Sequence, residues 1–159
     1  MSLRAGHHVS APELILAFDY GTRRIGVASG DSLTRTARGL TVLEVRGTVP
    51  WADIVRLVAD YTPTQLVVGL PCNMDGTETG MTGPARQFSQ DLKARVGLPV
   101  HLVDERLSSR DAEAELRAAR ASGLKRKRVT HADVDRIAAK VILERWFAEQ
   151  PASRPGASG

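Results

Sequence analysis

Apolar positions along this chain fall first in short runs and only later in helical stripes. Residues 14–19 (Leu-Ile-Leu-Ala-Phe-Asp) and 25–30 (Ile-Gly-Val-Ala-Ser-Gly) are two such runs around a Gly-containing turn, and they predict a β-hairpin. Residues 39–45 predict a third strand. Pro50 then opens a stretch in which Trp51, Ile54, Val55, Leu57, Val58 and Tyr61 recur at helical spacing. The run at 65–70 (Gln-Leu-Val-Val-Gly-Leu) predicts a short buried strand, and a loop with three glycines covers 71–83. Pro84 starts a second helix with Phe88, Leu92 and Val96 on one face and Gly97 as its stop. Residues 100–103 predict another strand. Ser108 or Ser109 caps a helix to about residue 121, and a last helix covers about 132–149.

Three strands pairing as a meander, then strands separated by helices, predict an α/β fold with a mixed sheet and helices on its faces. The 159 residues suit one domain with its own core, expected over 13–150. Residues 1–12 and 151–159 are polar and read as disordered tails.

Asp19 ends a strand that reads as buried on both faces, where a carboxylate is costly without a cation, a metal or close donors. Acids stand at two other element ends, Asp104-Glu105 after the last strand and Asp133 and Asp135 at the start of the last helix. Strand ends and helix starts share one edge of an open α/β sheet. Alternation puts His101, Val103 and Glu105 on one face and Val100, Leu102 and Asp104 on the other, without choosing which face meets Asp19. Helical phase does choose: Asp135, Ala138, Ala139, Ile142 and Trp146 form one stripe, and Asp133 points away from it. Singly, these acids fit a turn cap at Gly21, a surface ion pair and a first-turn acid favoured by the helix dipole. As a set on one edge they predict a divalent-metal site, and hard oxygen donors select Mg²⁺ or Mn²⁺.

Charge adds a second theme. The net charge is +4, and Lys125-Arg126-Lys127-Arg128 directly precedes the helix that carries Asp135. Beside an acidic cluster such a run supplies the rim a nucleic-acid backbone needs, and Arg23, Arg24, Arg106 and Arg110 add to it. Aromatic residues make up 4% of the chain, so stacking platforms are scarce and backbone-led recognition is the natural mode. The segment from Gly69 to Glu78 carries glycines that let amides approach a phosphate, with Asn73 and Thr77 as neutral donors; an ordinary loop is the equal alternative. Cys72 is the sole cysteine, so no internal disulfide forms. With no apolar run of membrane-spanning length and no leader-like start, the expectation is a cytoplasmic protein without a membrane partner.

Several motifs, in this order, resemble the YqgF/RuvX family of the ribonuclease H-like superfamily. They are Asp19-Tyr20-Gly21-Thr22-Arg23-Arg24-Ile25-Gly26-Val27-Ala28, Val68-Gly69-Leu70-Pro71 with Met74-Asp75-Gly76-Thr77, and Arg86 with Phe88. Asp104-Glu105-Arg106-Leu107-Ser108-Ser109 and Val134-Asp135-Arg136-Ile137-Ala138-Ala139 complete the set, which spans about residues 14–148. Ser108-Ser109 stand where many relatives have two threonines. The resemblance implies a five-stranded mixed sheet flanked by helices, with three antiparallel strands and two more added through helices. It implies Asp19, Glu105 and Asp135 as catalytic, metal-binding acids and Arg23 and Arg106 in substrate contact. An active-site loop holding Gly69, Pro71, Asn73, Asp75 and Gly76 is implied as well.

Members of this family are described as pre-16S rRNA nucleases and, earlier, as Holliday junction resolvases. The implied activity is phosphodiester hydrolysis with two Mg²⁺ or Mn²⁺ ions, Asp19 bridging them and Asp104, Asp75 or Asp31 as candidates for a fourth acid. The implied partner is structured RNA, with the ribosomal small-subunit precursor foremost, or else branched DNA. The chain would act as a monomer or homodimer, and a junction cutter should be a stable dimer. Asp-x-Gly-Thr after a strand also resembles the phosphate loop of actin-like ATPases and sugar kinases, but this chain has residues for one of their two lobes. A non-catalytic RNA-binding assembly factor is the third reading.

Overall fold

Leu14–Tyr20 (β1) and Arg24–Asp31 (β2) pair antiparallel, with Asp19 opposite Gly26. Thr36–Glu44 (β3) continues the meander along β2, and its register slips opposite Val27 and Ala28, where Leu40 is the extra residue of a β-bulge. The computed structural model describes residues 12–105 and 131–151. Trp51–Tyr61 (α1), Gln65–Leu70 (β4), Thr82–Val96 (α2), Val100–Asp104 (β5) and His131–Glu149 (α3) complete the described elements. The helix expected over 108–121, the basic run at 125–128 and both expected tails (apart from Pro12 and Pro151) lie outside the described residues.

The sheet order is β3-β2-β1-β4-β5, with β4 parallel to β1 and β5 parallel to β4. The carboxyl ends of β1, β4 and β5 therefore share one edge. Two boundaries differ from the sequence reading. β3 begins at Thr36 rather than 39, because an edge strand that is half exposed lacks a continuous apolar signal. α2 begins at Thr82, two residues before Pro84, which sits in the first turn where its missing N–H is no loss.

Strand alternation assigns the two faces. Ile15 and Ala17 of β1, Val67 of β4 and Val103 of β5 pack on Ala139, Ile142, Leu143, Trp146 and Phe147 of α3. Leu16, Phe18, Leu66 and Val68 face Ile54 of α1 and Phe88 and Leu92 of α2. The aromatic ring of Phe88 stacks on Tyr20 at 5.0 Å and on Trp51 at 5.5 Å, closing that second layer at the end nearest Asp19. Val55, which helical spacing grouped with the apolar stripe of α1, is 45% exposed and lies off the core. Among the described residues no helix is long and apolar enough to cross a membrane.

Small residues seat α3 on the sheet. A Cβ placed on Gly26 would stand 2.1 Å from the backbone carbonyl oxygen of Asp135, and one on Gly39 would stand 2.9 Å from the Cβ of Arg136. Farther along, a Cβ on Gly30 would meet Leu143 at 2.7 Å. The helix backbone thus rests on β2 itself, a separation that no side chain at Gly26 would allow. The other end of α3 is clasped by Arg35, in the left-handed region at φ 58, whose guanidinium donates to the carbonyls of Phe147, Gln150 and Pro151.

Candidate active site at the carboxyl edge of the sheet

Three elements deliver one acid each to the same edge. Asp19 follows Ile15 and Ala17 on the α3 face of β1. Glu105 lies one residue past β5, where its amide donates to the Leu70 carbonyl at 3.1 Å and prolongs the ladder. It has the parity of Val103, which packs on α3. The choice that alternation left open is thereby made: Glu105 meets Asp19, and Asp104 has the parity of the opposite face. Asp135 is the fifth residue of α3, just past its first turn, above Gly26 and hence beside Asp19. Asp133 is turned aside and pairs with Arg136 at 2.6 Å, as the helical phase required.

Electrostatics bind the three together. Burial first, and then the Asp135 charge, push the Asp19 carboxyl up to about 7, while a hydrogen bond with Glu105 acts the other way. Burial again leads for Glu105, followed by the charge of Asp19 and the hydrogen bond to it, and this carboxyl is pushed up to about 9. Both carboxyls are pushed up and a hydrogen bond joins them, which disposes the pair to share a proton rather than to carry two charges. Gly69 makes room for this arrangement: a Cβ there would stand 2.1 Å from Glu105 Oε1 and 2.4 Å from Ile142 Cδ1. That oxygen is buried, and the carboxyl to which it belongs is engaged with Asp19.

The donor set suits a hard divalent cation. Its oxygens are carboxylate, its charges repel, and a cation would take the place of the shared proton. Among the described residues, however, no three Asp, Glu, His or Cys side chains stand in ready coordination geometry. Asp135 is otherwise engaged, because its Oδ2 accepts a hydrogen bond from Arg24 Nε at 2.5 Å. Sequence reasoning placed Arg24 on a substrate rim and missed this pair. The signal was available in the parity of β2, where Arg24, Gly26 and Ala28 share the face on which α3 lies.

The remaining candidates separate by place. Arg23 is exposed at the β1–β2 turn on the acidic edge. Arg106, Lys125, Arg126, Lys127 and Arg128 lie outside the described residues. Of the acids weighed as a fourth ligand, Asp31 is at the opposite end of the sheet, paired with Leu14, and its Oδ1 accepts from the Leu33 amide at 2.7 Å. Asp75 Oδ1 accepts from the amide of Thr77 at 3.0 Å and from its hydroxyl at 2.7 Å. Asp104 contributes its charge to the upward push on Glu105.

The segment after β4 is a closed hairpin rather than an open phosphate cradle. Cys72 and Glu78 bridge, the Asn73 amide donates to the Thr77 carbonyl, and the Gly76 amide donates to the Asn73 carbonyl, both at 2.8 Å. Asn73 Nδ2 donates to Thr77 Oγ1 at 2.9 Å, so the two neutral donors expected for a phosphate serve each other. Gly76 adopts φ 91, the one place in the turn where glycine is required. The Thr82 hydroxyl donates to the Pro71 carbonyl, and Arg86 pairs with Glu78 at 3.1 Å, tying the hairpin to the start of α2.

This strand order, with acids gathered where parallel strands end, defines a ribonuclease H-like α/β fold. A solved structure of T. thermophilus RuvC in complex with a Holliday junction substrate superposes with a TM-score of 0.55. It covers 86% of this chain and 94% of that one at 17% identity. A second Thermus thermophilus RuvC structure gives 0.50 at 17% identity, over 84% and 93%. At such identity the likeness speaks for the fold.

Sequence relatives carry the assignment further. The profile of the family described as RuvX, Holliday junction resolvase, matches residues 13–149, and the chain belongs to that family. A protein of Azotobacter vinelandii is 45% identical over 146 residues, covering 91% of this chain and 99% of that protein. One of Glaesserella parasuis is 44% identical over 139 residues, covering 87% and 98%. Both bear the name "Putative pre-16S rRNA nuclease".

Proposed function

We propose that this protein is a divalent-metal-dependent nuclease that hydrolyses phosphodiester bonds in structured nucleic acid, foremost at the 5′ end of pre-16S rRNA. The observation that carries the reading is the meeting of Asp19, Glu105 and Asp135, from three separate elements, at one edge of the sheet. Asp19, Glu105 and Asp135 are the residues that would hold Mg²⁺ or Mn²⁺. Bound there, a divalent ion supplies a water nucleophile at neutral pH and charge relief for the leaving oxygen. The chain's own part is positional. Gly69 leaves space for the Glu105 carboxyl, Gly26 sets the height of Asp135, and the mutual repulsion of Asp19 and Glu105 would be relieved by a cation held between them. The exposure of Arg23 at the same edge supports assigning it a phosphate contact.

Names of the relatives favour pre-16S rRNA as the substrate, whereas the family description favours a four-way DNA junction. A nuclease assay on a precursor rRNA fragment, a four-way junction and plain duplexes, with Mg²⁺ or Mn²⁺, decides between them. We expect cleavage of the rRNA fragment, and a loss of about a hundredfold or more in Asp19→Asn and Asp135→Asn, the scale set by removing transition-state charge stabilisation. Equal activity in the wild type and both variants would sink the assignment of the site. Junction cutting by a stable dimer, with rRNA untouched, would favour the resolvase reading instead.

A further inference from the structure

Under the metal-dependent reading Asp135 is a ligand, yet its Oδ2 is already taken by Arg24 Nε at 2.5 Å. The pair is largely covered, with 33% of the Arg24 side chain and 22% of the Asp135 side chain exposed. Screening by water is therefore weaker than for a surface pair, while ions can still reach it.

We propose that Arg24 is a resident counter-cation: it occupies Asp135 in the metal-free protein, and a divalent ion loads by displacing it. The proposal rests on the metal-dependent reading of the site. Strand parity brings Arg24 to the face that α3 covers, and Gly26, two residues along, fixes the helix backbone within its reach. Among the described residues no three acids stand in ready coordination geometry, and Asp135 is the acid committed to another cation. Displacement exchanges one positive charge for two at the same oxygen. Until then Arg24 gives the Asp135 carboxylate, whose charge bears on Asp19, a positive partner and ties the start of α3 to β2.

Mn²⁺ alone is the probe, titrated calorimetrically into the full chain at neutral pH without substrate. Arg24→Gln keeps a donor and most of the length but removes the charge, and Arg24→Lys keeps the charge. Loss of a neighbouring positive charge should tighten Mn²⁺ binding by about tenfold in Arg24→Gln, while Arg24→Lys stays within about threefold of wild type. The gain should vanish in an Asp135→Asn background, because both changes act on one ligand. Metal-free Arg24→Gln should melt below wild type and recover with saturating Mn²⁺. Unchanged or weaker binding in Arg24→Gln overturns the proposal and leaves Arg24 as a strut for Asp135, as does an equal gain in the Asp135→Asn background. If wild type and Asp19→Asn alike bind no Mn²⁺, the metal-dependent reading falls and takes the proposal with it. Binding that Asp19→Asn abolishes but Arg24→Gln leaves unmoved overturns displacement alone.

Discussion

Asp19 and Glu105 retain protons in the fold that the unfolded chain releases at ordinary carboxyl values of 3.8 and 4.5. Across the interval from those values up to about 7 and about 9 the folded state binds more protons than the unfolded one. Stability of the metal-free protein must then fall as pH rises through that interval, and it is greatest on the acid side, before other groups intervene. Urea unfolding at about pH 5.5 and about pH 8.5 should show the decline. Asp19→Asn should flatten it and raise metal-free stability near pH 8 by about 1–2 kcal/mol, although under the proposed function the same change should remove activity. A decline of the same steepness in Asp19→Asn would place its origin elsewhere. Such a site holds its acids together against their repulsion, a cost commonly met where function requires charge.

At the scale of elements, two glycines set the spacing. Gly26→Ala would bring a Cβ to within 2.1 Å of a helix carbonyl, which cannot rotate away as a side chain would. The cost is expected at about 3 kcal/mol or more, read as a lower midpoint in urea, with activity lost together with stability. Gly69→Ala meets Glu105 Oε1 and Ile142 Cδ1, both side-chain atoms that can move. It should cost less in stability, about 1–2 kcal/mol, but more than tenfold in turnover, because the atom displaced belongs to the site. If Gly69→Ala kept full activity, Glu105 would not be part of the machinery.

These elements also show what the sequence made legible. β1 and β4 are buried on both faces, so their apolar runs announced them, and the residues Asp135, Ala138, Ala139, Ile142 and Trp146 declared the inner stripe of α3 by their spacing alone. Edge strand β3, half exposed and bulged at Leu40, was read three residues short. The family resemblance singled out Glu105, but strand alternation separated it from Asp104 only once α3 was known to cover the face of Val103. The Arg24–Asp135 pair joins residues 111 apart in sequence: strand parity puts Arg24 on the α3 face, but only the packing of α3 on β2 shows which acid it meets.

Over the whole molecule, charge is divided between an acidic edge and cations along the chain that total 22 Lys and Arg against 18 Asp and Glu. If Lys125, Arg126, Lys127 and Arg128 contact phosphates, replacing all four with Ala should lower affinity for a structured RNA and make its logarithmic salt slope shallower by about 3–4. Thermal stability should change little. Fluorescence anisotropy over a range of salt concentrations provides the measurement, and an unchanged slope would mean that this run is a solvated segment. Under the proposed function binding should survive Asp19→Asn, since phosphate contacts would position the substrate and the acids would act on the bond.

Where Gly26 meets the Asp135 carbonyl, main chain rests on main chain, so the height of α3 above the sheet is not negotiated by rotamers. A mason would call it a bedding plane: courses above can be recut without moving the joint. Leu143 and Phe147 lie two turns and more beyond Asp135, so substitutions that change their bulk should alter stability while leaving the Asp135 backbone at its height above β2.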